Sequence, residues 1–413
     1  MSRTAQDSTR SWRTHIAALV GSVAVTSTSD GILFVSAPLI ATSMSDDPRV
    51  IAGVTVAATL PYLVLALPSG LLVDRLPLRP MLLTVALTRA ILAGILALAV
   101  VTGQLSLPLL YVCVFSLEAC RATFDTTVKV VTPQIVPKDQ IESGNRRILF
   151  GQFLGDGITG RSLGGLLYAF GSQLSLLVYA VCQLAVAFLS RTAVRGIPVH
   201  RRGISSRDLT AGLAWVAGNG PIRGLAVLHG CRSLTSGATS GVLAVFLLQE
   251  LDVPSRWYGI MLVSLPIGGF IALYVSRKAV RLATTPQVIL SVLATDIALY
   301  FLLGVTGTSV VVPVLLAAIA FNGVLWNLST LGFRQRIVPG DVQGRVQSVY
   351  AALQFGLIPA GAAAGGYLAT LDGARPVIVS AGIFLVAPLV YALLLRPSVQ
   401  AAALSAEREE SRE

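Results

Sequence analysis

Residues 80–102 read PMLLTVALTRAILAGILALAVVT, and Arg89 is the one charged side chain in this run. A helix needs about 20 apolar residues to cross the hydrocarbon core of a bilayer, so the run predicts a transmembrane helix. Similar runs recur along the chain, because 54% of its 413 residues are hydrophobic and only 12% are charged. Soluble proteins carry about 25% charged residues. The sequence therefore predicts an integral membrane protein whose outer face contacts the lipid bilayer.

Twelve runs of spanning length are bounded by charges, proline or glycine. They cover residues 16–41, 50–73, 80–102, 106–130, 147–170, 173–190, 222–249, 257–276, 286–305, 309–331, 346–370 and 375–395. The shorter stretch 208–219 is predicted to be an interfacial helix that leads into the seventh span. The predicted fold class is an all-α membrane protein with twelve transmembrane helices.

The positions of Lys and Arg predict the orientation of these spans. With both termini in the cytoplasm, 22 of the 31 Lys and Arg residues lie in cytoplasmic segments, three in external loops and six within spans. Basic residues concentrate in cytoplasmic loops of membrane proteins. We therefore expect a multi-pass protein of the cytoplasmic membrane with both termini inside. The polar, basic N-terminal stretch is expected to be a cytoplasmic lead-in, not a removable signal peptide.

Several classes of function are disfavoured by the composition. The net charge of +11 does not form a basic patch, since the Arg residues are spread between apolar runs, so no nucleic-acid partner is expected. The four cysteines lie in apolar stretches without metal-ligand spacing, and no phosphate-binding Gly-x-x-x-x-Gly-Lys-Ser/Thr loop occurs. We therefore expect no enzymatic activity, no metal and no cofactor. A monomer would suffice.

Three short motifs recur in the same order at an offset of about 200 residues. They are Leu67–Gly70 with Leu265–Gly268, Ile135–Pro137 with Ile337–Pro339, and Gly164-Gly165 with Gly365-Gly366. Parallel repeats of this kind are typical of secondary transporters, whose substrate site lies near the midplane between the halves. The predicted domains are a six-helix bundle over 1–190, a basic cytoplasmic linker over 191–211, a second six-helix bundle over 212–396 and a cytoplasmic tail over 397–413.

The loop after the second span reads GLLVDRLPLR over residues 70–79. It resembles the signature of the major facilitator superfamily between spans 2 and 3, and the resemblance extends over essentially the whole chain. Pro77 stands where that signature has Gly, and Leu78 where it has a basic residue. The resemblance implies a major facilitator fold of two six-helix pseudo-repeats. It also implies a cytoplasmic gate that holds neighbouring helix ends together, formed by the matching residues Gly70, Asp74, Arg75 and Arg79. An ordinary positive-inside turn is the alternative.

Other tracts resemble the drug-exporter branch of that superfamily, which includes macrolide and siderophore exporters. They are 133–145, 334–346 and the run Gly160-Arg161-Ser162-Leu163-Gly164-Gly165 in the fifth span. The last is similar to the exporter signature Gly-Pro-x-x-Gly-Gly, with Arg161 in place of Pro. Gly160, Gly164 and Gly165 are expected to allow close helix packing. The resemblance implies proton antiport and multidrug efflux.

Ionisable side chains within the spans are candidates for function, because each costs about 2.5–3.5 kcal/mol to insert. Glu118, Arg121 and Asp125 fall within about 60° of one another on the fourth span, so they form one polar stripe, and Arg121 is positioned to pair with Asp125. Asp30 has no basic neighbour in its own span. Asp30, Glu118 and Asp125 are the predicted proton-coupling residues, with neutralising pairs that fix helix register as the alternative.

The remaining embedded polar residues have less specific interpretations. Arg161 would bind an anionic substrate group or neutralise Asp156, Asp125 or Glu118. Arg89 is expected to pair with an acid across spans, His229 to be a packed polar core residue and Asp296 to lie nearer the periphery. A cavity for a large amphipathic substrate would use aromatic faces and a few polar groups. Its predicted residues are Tyr62, Arg121, Asp156, Arg161, Asn322, Trp326 and Gln354.

These observations predict a secondary active transporter whose partners are a small-molecule substrate and protons. The first hypothesis is proton-coupled efflux of a drug-like molecule or secondary metabolite by alternating access. Export or flipping of a siderophore or lysolipid is the second. A non-transporting membrane sensor with a transporter fold is the third.

Overall fold

The computed structural model describes residues 3–65, 78–136, 140–193, 207–282, 284–339 and 342–410. These residues are helical apart from short connections, and they contain no strand. Ten helical segments in this part of the chain are long and apolar enough to cross a membrane, and the shorter apolar helix Pro48–Val64 is additional. The protein is therefore an all-helical, multi-pass membrane protein. The count of twelve spans stays a prediction, because the second predicted span runs past residue 65 and the fifth contains several charges.

The described helices follow one another with short connections. Those of the N-terminal part are α1 (Arg3–Met44), α2 (Pro48–Val64), α3 (Leu78–Val101), α4 (Leu107–Ile135), α5 (Ile141–Gln152), a π-helical segment (Phe153–Gly160), α6 (Arg161–Ala169) and α7 (Ser172–Ala193). Those of the C-terminal part are α8 (Arg207–Gly218), α9 (Gly220–Val245) with a π-helical end (Phe246–Glu250), α10 (Ser255–Leu262), α11 (Ser264–Leu282), α12 (Thr285–Val305), a 3₁₀ turn (Ser309–Val311), α13 (Val312–Ile337), α14 (Gln343–Asp372), α15 (Ala374–Phe384) and α16 (Val386–Glu410).

The helix predicted over 208–219 is present as α8. Asn219 separates it from α9, and its side-chain oxygen accepts a hydrogen bond from the Ile222 backbone N–H at 3.2 Å. Pro221 occupies the first turn of α9, where a missing N–H costs nothing. The local sequence therefore ends one helix and starts the next within a single residue.

The chain forms two compact units. The first comprises Met1–Met44, Ala57–Ile204 and Pro254–Val263, and the second comprises Ser45–Val56, Ser205–Val253 and Ser264–Glu413. In the first unit α1 packs against α7 and the π-helical segment; in the second α9 packs against α14. The predicted bundle boundaries stay a prediction, since most of the linker over 191–211 lies outside the described residues.

Equivalent positions of the proposed repeat have equivalent surroundings. Both α4 and α13 end at an Ile-Val pair, and both capping residues, Val136 and Val338, are extended. A Cβ on Gly164 would lie 2.9 Å from the Ile32 carbonyl oxygen of α1, and one on Gly365 would lie 2.7 Å from the Ala238 carbonyl oxygen of α9. These contacts agree with the repeat at the positions compared.

Glycines bring α1 into backbone contact with the π-helical segment. A Cβ on Gly31 would lie 2.6 Å from the Asp156 carbonyl oxygen, and one on Gly155 would lie 2.5 Å from the Ala24 carbonyl oxygen. Gly165 packs in the same way against Gly259 of α10, where an added Cβ would lie 3.1 Å from the Gly259 backbone nitrogen. Small residues permit such approaches between helices in a bilayer. The close contact between α1 and the π-helical segment fixes the position of the Asp156 backbone, and with it the position from which the Asp156 side chain extends.

Replacing Gly31 by Ala should lower the apparent melting temperature of the purified protein in detergent. The added methyl group has no room, and overpacking costs about 1–3 kcal/mol. Gly94→Ala in α3 is the matched control, because no described atom outside the adjoining backbone of its own helix lies within 4 Å of the position that its added Cβ would take. Ala also favours the helix by up to about 1 kcal/mol. Equal melting temperatures for the two variants would contradict the packing described.

Candidate functional site

Arg121 on α4 lies at the centre of an arginine–carboxylate cluster. Its Nε lies 3.1 Å from Asp30 Oδ2, its Nη1 lies 3.8 Å from Glu118 Oε2, and its Nη2 lies 3.8 Å from Asp156 Oδ2. Two further guanidiniums extend the contacts, and the cluster comprises Asp30, Arg89, Glu118, Arg121, Asp156 and Arg161. The cluster therefore draws on α1, α3, α4, the π-helical segment and α6.

The most buried part of the cluster is the pair between Arg89 and Asp30. Arg89 Nη2 donates to Asp30 Oδ1, and the two side chains are 0% and 2% exposed. The Arg89 guanidinium also lies 5.4 Å from the centre of the Tyr179 ring on α7. Asp30 is thus the cross-span partner expected for Arg89. Both oxygens of Asp30 face a guanidinium, from α3 on one side and α4 on the other.

Glu118 is held more loosely than Asp30. Its Oε2 accepts a hydrogen bond from the Tyr62 hydroxyl at 3.2 Å and lies 3.8 Å from Arg121. Tyr62 belongs to α2, so the structure brings this predicted cavity residue directly to a predicted coupling residue. Neither contact is the short, bidentate kind that binds a carboxylate most strongly.

Asp156 and Arg161 lie at the two ends of a π-helical turn. Asp156 Oδ2 is 3.7 Å from Arg161 Nη2, and Arg161 Nη1 donates to the carbonyl of Leu262 at 3.3 Å. That carbonyl closes α10, where helix carbonyls lack intrahelical partners. The Arg161 guanidinium also lies 4.5 Å from the centre of the Phe34 ring. π-Helical turns often occur at functional sites, and this segment contains Asp156 and ends at its capping residue Arg161.

The predicted pair between Arg121 and Asp125 does not form. Among the described residues, Arg121 has three acidic partners within 4 Å, and Asp125 is not one of them. Helical side chains lean toward the N-terminus, and an acid that precedes its base gives the better geometry. Arg121 therefore turns toward Glu118 and the acids of α1 and the π-helical segment.

The cluster is balanced in charge. Its three carboxylates face three guanidiniums, so the fully ionised cluster has no net charge. Four atoms of these side chains are nevertheless buried without a hydrogen-bond partner among the described residues: Arg89 Nε, Arg89 Nη1, Asp156 Oδ1 and Arg161 Nε. A buried polar atom left unpaired costs about 1–3 kcal/mol. Arg89 holds two of these unpaired atoms, and the Asp156–Arg161 pair beside α10 holds the other two.

A second buried pair lies in the other compact unit. Arg232 of α9 donates from Nε and Nη2 to Asp296 Oδ2 of α12, at 2.9 Å and 2.7 Å. Asn322 of α13 donates from Nδ2 to Asp296 Oδ1 at 2.8 Å. Asp296 is fully buried, so the expectation that it lies nearer the periphery is wrong. A single acid in an apolar helix does not reveal its face, and only the cross-span partners show that it points inward.

Next to this pair is a cavity of about 240 Å³. Trp326 and Gln354, two of the predicted cavity residues, line it together with His229 and Arg232. Asn322 does not line it. Trp326 donates from Nε1 to His229 Nδ1 at 3.2 Å, and the Arg232 guanidinium lies 4.9 Å from the Trp326 ring centre. The sequence places Arg232 and His229 on span 7 and Asp296 on span 9, and His229 is buried as expected. It does not predict that Arg232 pairs with Asp296 or that His229 accepts from Trp326.

The predicted cytoplasmic gate is largely outside the described residues. Gly70, Asp74 and Arg75 fall in the gap between residues 65 and 78, and only the backbone of Arg79 is described, in the first turn of α3. The gate stays a prediction from the sequence motif.

Replacing Asp30 by Asn should destabilise the protein by about 3–5 kcal/mol, because the buried Arg89 and the partly buried Arg121 lose their shared anion. Adding Arg89→Gln should restore part of that loss, and the coupling in a double-mutant cycle measured by thermal unfolding should exceed about 1 kcal/mol. Additive losses would show that the pair does not interact.

A surface pair supplies the control for that cycle. Arg49 hydrogen-bonds the Asp47 carboxylate, with its Nη2 at 2.7 Å, and this bond lowers the pKa of Asp47. Both residues are partly exposed, so Asp47→Asn should leave the melting temperature almost unchanged at pH 7. Any contribution of this pair is present above the ordinary Asp pKa and is lost as the pH falls through the lowered value.

Comparison with known proteins agrees with this architecture. Residues 12–412 match the model of the family described as transmembrane secretion effector. No curated protein matches the chain significantly. A bacterial homologue of the iron transporter ferroportin, solved in an inward-facing state, shares 16% identity with a TM-score of 0.74, covering 92% of this chain and 98% of that one.

Two further solved structures share the fold at similarly low identity. A bacterial homologue of the human lysosomal transporter Spinster has 14% identity and a TM-score of 0.72, covering 96% of this chain and 98% of that one. A transporter of the POT family in complex with 5-aminolevulinic acid has 11% identity and a TM-score of 0.73, covering 93% and 96%. The chain belongs to the transmembrane secretion effector family and is a transporter of the major facilitator type.

Proposed function

We propose that the protein exports a drug-like molecule or secondary metabolite in exchange for protons, by alternating access in the cytoplasmic membrane. The observation that carries this proposal is the charge-balanced arginine–carboxylate cluster, in which one acid is held only weakly. A proton added to a balanced cluster leaves one excess positive charge in a site of low dielectric. The interactions of the remaining groups must then change, and an ion-coupled transporter needs a step of this kind.

Glu118 is the acid best suited to carry the proton. Neutralising Asp30 would leave Arg89 and Arg121 without their shared anion. Neutralising Glu118 removes a 3.8 Å contact with Arg121 and leaves Arg121 two other acids. The Tyr62 hydroxyl can still donate to the carbonyl oxygen of a protonated Glu118. Asp125 has no basic partner within 4 Å in the described part of the chain, so its protonation would break no ion pair.

A continuous series of contacts leads from Glu118 to α10. Glu118 contacts Arg121, Arg121 contacts Asp156, and Asp156 contacts Arg161. Arg161 in turn binds the last carbonyl of α10. When Glu118 is neutral, Arg121 interacts more strongly with Asp156, which weakens the hold of Asp156 on Arg161. We infer that the proton controls the attachment of α10 by this route, so Asp156 and Arg161 act in coupling as well as in the cavity.

Glu118→Gln should abolish proton release while preserving substrate movement. Inside-out vesicles with an acid interior and an internal pH dye are challenged with a panel of lipophilic compounds. Wild-type protein should raise the internal pH with at least one compound. Glu118→Gln should not, yet it should still exchange that compound, labelled, across the membrane, because a permanently neutral side chain mimics the protonated state.

The controls separate the three candidate acids. Asp46→Asn removes an exposed carboxylate outside the helices and should behave like wild type. If proton release survives in Glu118→Gln but is lost in Asp125→Asn or Asp30→Asn, the coupling residue is the acid whose replacement abolishes proton release, and not Glu118. If no compound moves protons and no labelled compound crosses, the exporter assignment fails, and lipid export or a sensor role becomes the better explanation.

Arg161→Gln should slow proton-driven transport without removing proton binding. The variant loses the charge that joins Asp156 to the Leu262 carbonyl, whereas Arg161→Lys keeps a cation and should retain more activity. The initial rate of pH change in the same vesicles measures the effect. Equal rates for wild type and Arg161→Gln would exclude the proposed route through α10.

A further inference from the structure

The cavity beside Arg232 in the second compact unit has a distinct polarity. Helices α9, α11, α12, α13 and α14 line it, and its volume is about 240 Å³. Its polar and aromatic lining residues include His229, Arg232, Tyr300, Trp326, Asn327 and Gln354. The fixed polar groups of this lining, Arg232 and His229, are hydrogen-bond donors.

The hydrogen bond between Trp326 and His229 defines the tautomer of His229. The indole N–H can only donate, so His229 Nδ1 must be the acceptor and the ring hydrogen lies on Nε2. No described residue accepts from that Nε2–H. His229 lines the cavity, and the side chain is thus a donor available to a bound molecule.

Arg232 presents its guanidinium to the cavity while Asp296 does not present its carboxylate. Asp296 is fully buried, with Oδ2 bound by Arg232 and Oδ1 bound by Asn322, and it is not among the lining residues. The bonds to Asp296 use Nε and Nη2 of Arg232, so the Nη1 hydrogens remain unpaired among the described side chains. Anions bind well to guanidinium groups of this kind.

A second guanidinium lies close to the same cavity. Arg334 of α13 is 6% exposed, its guanidinium lies 3.8 Å from the centre of the Tyr350 ring, and that ring is 5.5 Å from the His229 ring. No acid lies within 4 Å of Arg334 in the described part of the chain, and its Nη1 is buried without a partner there. Arg232 lines the cavity, and Arg334 is connected to it through the rings of Tyr350 and His229. Together with Asp296, the acid that binds Arg232, these groups carry one net positive charge.

We propose that this cavity binds the anionic head of the exported substrate, a carboxylate or a group of similar charge and size, with its apolar part against Trp326. This inference rests on the proposed export function and names the substrate class. A carboxylate can accept from both Arg232 and His229. An ammonium group would be repelled by the Arg232 guanidinium and could not accept the hydrogen bonds that Arg232 and His229 offer, so these donors would stay unpaired, which is costly in a buried site. The side-chain NH₂ groups of Asn327 and Gln354 can donate to either oxygen of the carboxylate.

An anionic substrate is compatible with export. The interior of a cell is electrically negative, so the membrane potential assists the outward movement of an anion. Inward movement of a proton is assisted by the same potential. In the exchange of a proton for an anion, the membrane potential would therefore assist both the inward movement of the proton and the outward movement of the anion.

Three probes of the same size and different charge test the proposal: benzoate, benzamide and benzylamine, added at pH 7 to the purified full chain in detergent. Quenching of tryptophan fluorescence reports binding, and Trp326→Phe identifies which of the four tryptophans responds. We expect benzoate to bind about tenfold or more tightly than benzylamine, since a charge-assisted hydrogen bond contributes at least one factor of ten. Benzamide should fall between them.

Variants locate the binding. The double variant Arg232→Met/Asp296→Leu removes both charges without leaving either one unpaired, and it should lower benzoate affinity about tenfold or more. Arg223→Met on the same helix removes an exposed arginine outside the cavity and should have no effect. If the double variant does not fold, as judged by gel filtration, His229→Asn replaces it. The Asn side chain can still accept from Trp326, but it is shorter than His, so its N–H donor no longer reaches the bound carboxylate. Benzoate affinity should therefore fall.

The binding experiment tests the anionic substrate class, and the vesicle experiment tests proton-coupled export, so each proposal can fail without the other. Equal binding of the three probes, tighter binding of benzylamine, or benzoate binding unchanged by the cavity variants would overturn the anionic assignment, whatever the vesicle experiment shows. Binding needs no proton gradient. Selective benzoate binding together with a failure of proton-coupled export would leave the cavity assignment in place and reject the proposed function instead.

Discussion

The contact of one guanidinium with three carboxylates, Arg121 with Asp30, Glu118 and Asp156, is the interaction on which the first compact unit depends. Each of these side chains would be expensive to bury alone, and none is tolerated in lipid without compensation. Their mutual proximity requires α1, α4 and the π-helical segment to keep one register.

The three contacts are unequal, and the proposed proton coupling depends on this inequality. Asp30 is almost fully buried between Arg121 and Arg89, so this corner of the cluster resembles a structural ion pair. Glu118 and Asp156 lie 3.8 Å from the same guanidinium and contribute less to it. A cluster with one firm and two loose contacts can lose a charge at the loose end without losing its framework.

The second compact unit uses the same kind of pairing with the charges exchanged. In the first unit the acid is on α1 and its buried base is on α3; in the second the base, Arg232, is on α9 and the acid, Asp296, is on α12. Asp296 is saturated by Arg232 and Asn322, which leaves the cavity beside it with donors and no free carboxylate among its described lining residues. The two units therefore differ in chemistry: the first contains acids with long contacts to their base, and the second contains a cavity lined by hydrogen-bond donors. Neither feature follows from the resemblance between the repeats.

The sequence alone determined that the chain is an all-helical membrane protein, because runs of apolar residues as long as residues 80–102 have no other stable environment than lipid. It also determined which residues are costly to place in the membrane, since Asp30, Glu118, Arg121, Asp156 and Arg161 all stand out within apolar runs. Only the tertiary structure decided their partners. The spacing of Arg121 and Asp125 allowed a pair within one helix, but Arg121 reaches acids on three elements, and Asp296 points inward to a base on another helix. Helical periodicity fixes which residues share a face of one helix, whereas the neighbour that each face meets depends on packing between segments far apart in the chain.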